Sequence, residues 1–193
     1  GRVEVSLMES MIDFQFEVLT THLNDGGKLP RRSAVNNAHA YLGAPYGVYK
    51  TADGYLALAM GSVVRLGELL ECPQLLAYSD PSHLFEQRDE IKQILLEHLL
   101  TKSTSSWLSI LEPADIWCAD VLTMRDLMEH EGFKVLDMVQ EVTRPGSPPL
   151  RTLRCPIRID GELLKSSQGA PRLGADTKAI RQEFSLDQQE ATR

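Results

Sequence analysis

The sequence predicts an α+β protein, and three observations carry that prediction. Two aliphatic and aromatic runs flank Asp53-Gly54 within Pro45–Met60, the pattern of a β-hairpin. Apolar residues between Leu84 and Leu99 recur at helical spacing. From Met138 onward, short apolar and basic runs surround a Pro145-Gly146-Ser147-Pro148-Pro149 loop. At 193 residues, 42% hydrophobic and 24% charged, the chain is long enough to bury a core and ordinary enough in composition for a globular one.

The elements follow in order. Val3, Leu7, Met8, Met11, Ile12, Val18, Leu19 and Leu23 are spaced for one long helix, which Asp25-Gly26-Gly27 ends. That helix has a stop and no start signal, so the chain reads as cut from a longer one. Lys28 to Leu42, with Pro30, Arg31, Arg32, Ser33, Asn36 and Asn37, lacks periodicity and reads as a linker or long loop. In the hairpin, Gly54 is expected to supply a positive φ and Asp53 to bond its own backbone. Val63, Val64, Leu66, Leu69 and Leu70 suggest a short helix. Asp80-Pro81-Ser82 is a turn with a capping candidate, and Leu84, Phe85, Arg88, Ile91, Ile94, Leu95, His98 and Leu99 form the clearest amphipathic helix. Ser103 to Ser106 can cap a helix through Trp107, Leu108 and Leu111 that Pro113 ends, and Thr123 can cap another through Leu127 and Met128. Val139–Val142 reads as a strand, and Leu150–Ile159 as one or two strands ending at Asp160-Gly161. Asp176 or Thr177 caps a last helix through Ile180 and Phe184, and the polar tail from Asp187 frays.

Charge and cysteines narrow the function classes. A net charge of −7 argues against nucleic acid or an anionic membrane as the main partner, since both need a concentrated basic face. No apolar run reaches bilayer length and no secretory signal opens the chain. Cys72, Cys118 and Cys155 form no CxxC pair, which fits a reducing, cytoplasmic compartment, and each reads as a small buried hydrophobe. Phosphate-cradling glycine loops and a GxSxG elbow are missing. Asp126 and His130 share a helix face at i, i+4 and read as surface residues rather than a metal site; no metal is expected. His22 and His98 read as structural or solvated. Arg144, Arg151, Arg154 and Arg158 read as a solvated strand face, with a polyanion as the alternative. Tyr46, Tyr49 and Tyr55 read as aromatic packing on a small sheet, with a pocket lining as the alternative. Spacing alone stops at a soluble α+β domain.

The wording of several segments goes further. Val3-Glu4-Val5-Ser6-Leu7-Met8-Glu9-Ser10, the hairpin PYGVYKTADGYLALAM and Arg88 after Asp80-Pro81 are followed by Cys155-Pro156-Ile157 and Gly169-Ala170-Pro171-Arg172-Leu173-Gly174-Ala175-Asp176-Thr177. In this order they resemble the C-terminal half of a class III CoA-transferase, the CaiB/BaiF type that includes formyl-CoA transferase and carnitine CoA-transferase. The resemblance implies a small α+β domain, here residues 42–142, closing over a Rossmann-like large domain. Residues 1–41 would be the helix and linker leaving the large domain, and 143–193 the return. It implies acyl-CoA and carboxylic acid substrates, coenzyme A carried as a thioester substrate with no covalently bound cofactor, and an interlocked homodimer of the full-length protein. An aspartate attacks the acyl-CoA, giving an anhydride and then an aspartyl-CoA thioester. That aspartate lies upstream of the segment matching Val3 to Ser10, so the resemblance assigns no catalytic residue here and implies that the fragment alone is inactive. Gly43, Tyr46 and Tyr49 are the substrate-side candidates.

Formyl-CoA transferase carries a glycine-rich lid just before the position of Pro45. This chain has Ala40-Tyr41-Leu42-Gly43, and only Gly43 agrees. α-Methylacyl-CoA racemase shares the fold and the Gly43-Ala44-Pro45-Tyr46 and Thr51-Ala52-Asp53-Gly54 wording, but it has a glutamate where Val63 stands. Transfer is therefore favoured over racemisation of 2-methylacyl-CoA thioesters, with a non-catalytic accessory module as the third reading.

Overall fold

The computed structural model describes residues 4–35 and 39–186. Val3, Asn36, Asn37 and the tail from Asp187 lie outside the described residues. The chain divides into two compact units, residues 1–121 and 122–193, each described by itself. Helices and small antiparallel sheets together make the α+β class that the sequence predicts. Among the described residues no helix is long and apolar enough to cross a membrane.

The first unit opens with α1 (Leu7–Asp13) and α2 (Phe16–Asn24) where the spacing predicts one helix. The break has a local cause. The Gln15 backbone N–H donates to Ile12 O at 3.0 Å, a tighter turn than α-helical, while the Gln15 side-chain amide donates to Met11 O at 3.3 Å. A side chain satisfies the carbonyl that the next helical N–H would have used. The end of α2 falls at the predicted place: Asp25 Oδ1 accepts from the Gly27 and Lys28 amides at 2.9 and 3.1 Å.

Strands β1 (Gly47–Lys50), β2 (Tyr55–Leu58) and β3 (Cys118–Asp120) form one antiparallel sheet in that order. The hairpin is present, but its turn differs from the expectation. Lys50 pairs with Tyr55, so the loop has four residues, Thr51 to Gly54, closed by Thr51 N–H donating to Gly54 O at 3.0 Å. Gly54 is not left-handed. Its lack of a side chain serves close approach instead, since a Cβ there would stand 3.0 Å from Thr104 Oγ1. Asp53 reaches across the unit, accepting from the Thr104 amide at 2.8 Å and from its hydroxyl at 3.2 Å.

The core lies on one face of this sheet. α3 (Val63–Leu69) starts at its Ser62 cap and packs against a 3₁₀ turn, Pro73–Ala77. α4 (Arg88–Leu99) packs on β1, and α5 (Thr104–Leu111), capped by Ser103 as predicted, packs on β3. α4 begins four residues later than the apolar spacing suggests. Asp80 caps no helix; it accepts from the Ser82 amide and hydroxyl in a local turn. Tyr49, Leu56, Leu66, Ile91, Leu95, Leu99 and Trp107 are buried together. The Trp107 indole N–H donates to Leu99 O at 2.9 Å, which satisfies the polar handle of a side chain with no exposed surface.

The second unit begins with α6 (Met124–Glu129), held by a capping box between Thr123 and Asp126. His130 then caps α7 (Glu131–Leu136) by accepting from the Gly132 amide at 3.1 Å. The i, i+4 pair Asp126 and His130 is thus used at two successive helix starts. β4 (Val139–Val142) pairs with β5 (Leu150–Leu153), and β6 (Arg158–Ile159) with β7 (Glu162–Leu163). Asp160 and Gly161, at φ 51° and 84°, form the two-residue turn between β6 and β7. The left-handed Asp-Gly hairpin expected at Asp53-Gly54 therefore occurs here. The expected solvated arginine face needs one correction. Arg154 is 4% exposed, and its guanidinium donates to the carbonyls of Leu136, Asp137 and Cys155 at 2.7, 2.9 and 2.7 Å, so a buried cation closes the C-terminal end of α7. α8 (Thr177–Glu183) follows the Asp176 position without a side-chain cap. Of the cysteines only Cys72 is buried; Cys118 is half-buried and Cys155 exposed.

Two outcomes test this packing. Leu95→Ala should cost about 2–5 kcal/mol in denaturant unfolding, because the site is fully buried and cannot collapse freely. Asp53→Ala should lower the melting temperature at neutral pH. The Thr104 amide holds the Asp53 carboxyl below its ordinary pKa, so its contribution is present above the usual aspartate range and fades as pH falls through the folded value. The difference between wild type and variant should shrink in acid, which thermal melts across pH would read.

Candidate functional site

Strand alternation decides what the hairpin offers on each side. Gly47 and Tyr49 point into the core, while Val48 and Lys50 face away. Val48 pairs with Ala57, and Ala57 with Ala119, so three small or branched side chains line up across the outer face. With Tyr46, Trp117 and Cys118 they wall an open groove of about 520 Å³. Its surface is mostly carbon. The polar side-chain groups it offers are the Tyr46 hydroxyl and the Trp117 indole N–H; Cys118, paired with the buried Leu58, turns its thiol to the core face, where burial together with Glu112 raises its pKa.

The three substrate-side candidates fall in different places. Tyr46 lines the groove, half-buried, and meets the His39 ring edge-on at 6.1 Å between centroids. Gly43 sits at the start of the turn that leads to it, accepting from the Tyr46 amide at 3.2 Å, with the Ala44–Pro45 peptide cis. Tyr49 is fully buried on the opposite face of the strand. Its hydroxyl donates to Pro45 O at 2.7 Å, and burial raises its pKa. Gly43 and Tyr46 are thus joined by one turn, and Tyr49 supports that turn from the core.

The stretch before the turn is tied down. The Tyr41 hydroxyl donates to Asp25 Oδ2 at 3.2 Å and lies 3.3 Å from His22 Nδ1, while the Tyr41 amide donates to His39 Nδ1 at 3.1 Å. Desolvation and Asp25 raise the Tyr41 phenol. His22 therefore works at the end of α2. His98 is likewise structural, with Nε2 at 2.8 Å from Leu70 O and its ring against Trp107.

Sequence reasoning missed β3, which forms the third wall of the groove, because Ile116 to Val121 is too short to show an alternation above background. It also missed the reach of Asp53 to Thr104, which only the fold brings together. Among the described residues no three of His, Cys, Asp and Glu cluster where they could hold a metal ion.

With this geometry established, the chain can be set beside known proteins. It is 22% identical over 187 residues to succinyl-CoA:glutarate CoA-transferase of Mus musculus, covering 94% of this chain and 42% of that one. The Homo sapiens succinyl-CoA:glutarate CoA-transferase is 24% identical over 145 residues, covering 72% of this chain and 33% of that one. The chain therefore spans less than half the length of the curated relatives it matches. In fold it is similar to the hypothetical protein Rv3272 from Mycobacterium tuberculosis, with a TM-score of 0.65 at 19% identity, over 92% of this chain and 45% of that one. A CAIB/BAIF family protein from Brucella suis aligns with a TM-score of 0.60 at 23% identity, over 86% of this chain and 43% of that one. The family profile of CoA-transferase family III matches residues 1–177, and by that match over nearly its whole length the chain belongs to CoA-transferase family III.

Proposed function

We propose that this chain is the C-terminal portion of an enzyme that moves CoA between carboxylic acids through an aspartyl-CoA intermediate, with the aspartate upstream of Val3. The observation that carries the reading is the family match over residues 1–177, joined to two curated relatives that both bear the name of a CoA-transferase. The groove beside the hairpin is consistent with it. Walls of carbon with a phenol and an indole N–H suit a surface that shelters a substrate, while the nucleophile comes from elsewhere. Gly43 and Tyr46 would face the substrate, and Tyr49 would hold their turn. Acyl-CoA thioesters and free carboxylic acids are the substrates of this reading.

The fragment reading has its own support. Neither α1 nor α2 buries a residue, yet Leu7, Phe14, Phe16 and Leu23 are 89%, 87%, 67% and 79% exposed. Amphipathic helices left with bare apolar faces are what remains when a packing partner is absent. The division into an outgoing segment (1–41), a small domain (42–142) and a return (143–193) belongs to the same proposal, as do the homodimer and the cytoplasmic setting. The racemase alternative is weakened by Val63, which stands where racemases carry a glutamate and is 1% exposed in the core.

CoA exchange between two carboxylic acids by the full-length protein is the direct test, run over a broad acid panel with labelled CoA thioesters. Exchange is expected. Its absence across the panel, or exchange by the purified 193-residue chain alone, would count against the reading. In the full-length enzyme, Tyr46→Ala should lower kcat/KM about tenfold, or ~1.4 kcal/mol.

A further inference from the structure

The loop between α2 and the hairpin is held at two places by one short segment. At the first turn of α4, Asp89 Oδ1 accepts from the Ser33 hydroxyl at 2.5 Å and from the Ala34 amide at 2.9 Å. Ser33 is only 3% exposed, although it lies in a loop of polar residues, and its hydroxyl also lies 2.7 Å from Val35 O. Arg88 is 3% exposed, and its Nη2 donates to Arg31 O at 2.6 Å. Its Nη1 donates to Phe85 O at 2.5 Å, and the guanidinium lies 4.0 Å from the centre of the Phe85 ring. The Arg88 Nε is buried without a hydrogen-bond partner among the described residues.

The other end of the same segment touches the groove. A Cβ at Gly43 would stand 3.6 Å from both Leu84 O and Phe85 Cα, so the backbone of residues 84–85 lies beside the start of the turn from Gly43 to Tyr46. Residues 84–89 thus bind the connector at 31–35 through charge-assisted hydrogen bonds, and their backbone lies beside Gly43. We propose that Arg88 and Asp89 are positioning residues for the substrate-side turn: they fix residues 31–35, and through Phe85 they hold Gly43 and Tyr46 at the groove. This rests on the reading of Tyr46 as a substrate-side residue, but the placement of the turn can be measured without turnover.

The test uses the 193-residue chain. Asp89→Ala, Asp89→Asn, Arg88→Met and Ser33→Ala are compared with wild type by tryptic cleavage after Arg31 and Arg32, and by hydrogen exchange at residues 31–35 and 43–47. Cleavage requires the held backbone to open, so its rate follows the open population. Asp89→Ala should speed cleavage at least about tenfold, the loss of ~1.4 kcal/mol of holding free energy. It should also speed exchange of the Tyr46 amide, with Asp89→Asn restoring part of both through its remaining acceptor oxygen. Arg88→Met keeps the stem volume and should release Arg31 and the Tyr46 amide together. Leu95→Ala serves as the control that weakens the whole core without favouring these segments. Faster cleavage at 31–32 with unchanged exchange at 43–47 would overturn the positioning role, as would no change at either place. In the full-length enzyme the same variants should raise KM more than they lower kcat. Failure there with the exchange result intact would point to the transferase reading, and not to the clamp.

Discussion

Tyr49 sets the constraint on which the first unit depends. A phenol with no exposed surface needs an acceptor inside the protein, because a buried hydroxyl left unpaired costs about 1–3 kcal/mol. The acceptor is the carbonyl of Pro45, four residues earlier. That bond ties the turn at Gly43–Tyr46 to the core. Strand alternation then turns Val48, Ala57 and Ala119 outward. A slip of one residue would exchange the two faces and remove the groove with the core. Leu95 and Leu99 of α4 and Trp107 of α5 are buried in the same core cluster as this ring.

Both units place arginine where backbone carbonyls would otherwise lack partners. Arg88 serves Arg31 and Phe85, and Arg154 serves Leu136, Asp137 and Cys155. A guanidinium carries several donors in a fixed plane, so it can satisfy carbonyls from two segments at once. Each is expensive to bury, and each is therefore committed to one backbone geometry. At Arg154 this ends α7. At Arg88 it converts a stretch with the composition of a loose linker into an anchored connector.

Element existence was legible wherever a local rule decides it. Ser103 and Thr123 announced α5 and α6 because a cap acts over three residues, and the 84–99 stripe announced α4 because its burial repeats along one helix. Family membership was legible through ordered wording. Of the site, the hairpin and Tyr46 were readable, while the wall from β3 and the anchors Ser33 and Asp89 were not. β3 spans three residues and draws its identity from pairing with β2, and Ser33 and Asp89 are 56 positions apart.

The two Asp-Gly pairs mark the boundary between sequence and tertiary structure. At Asp160-Gly161 the local rule holds, since a two-residue turn needs positive φ at both positions and these residues tolerate it. At Asp53-Gly54 the same letters answer to a distant helix: the carboxylate meets the Thr104 amide, and the missing Cβ makes room for Thr104. The sequence by itself determined the helices with caps, the hairpin, and the family. Tertiary structure decided which side of the hairpin is a wall, which charges are buried, and which loop is held, because those depend on partners more than fifty residues away.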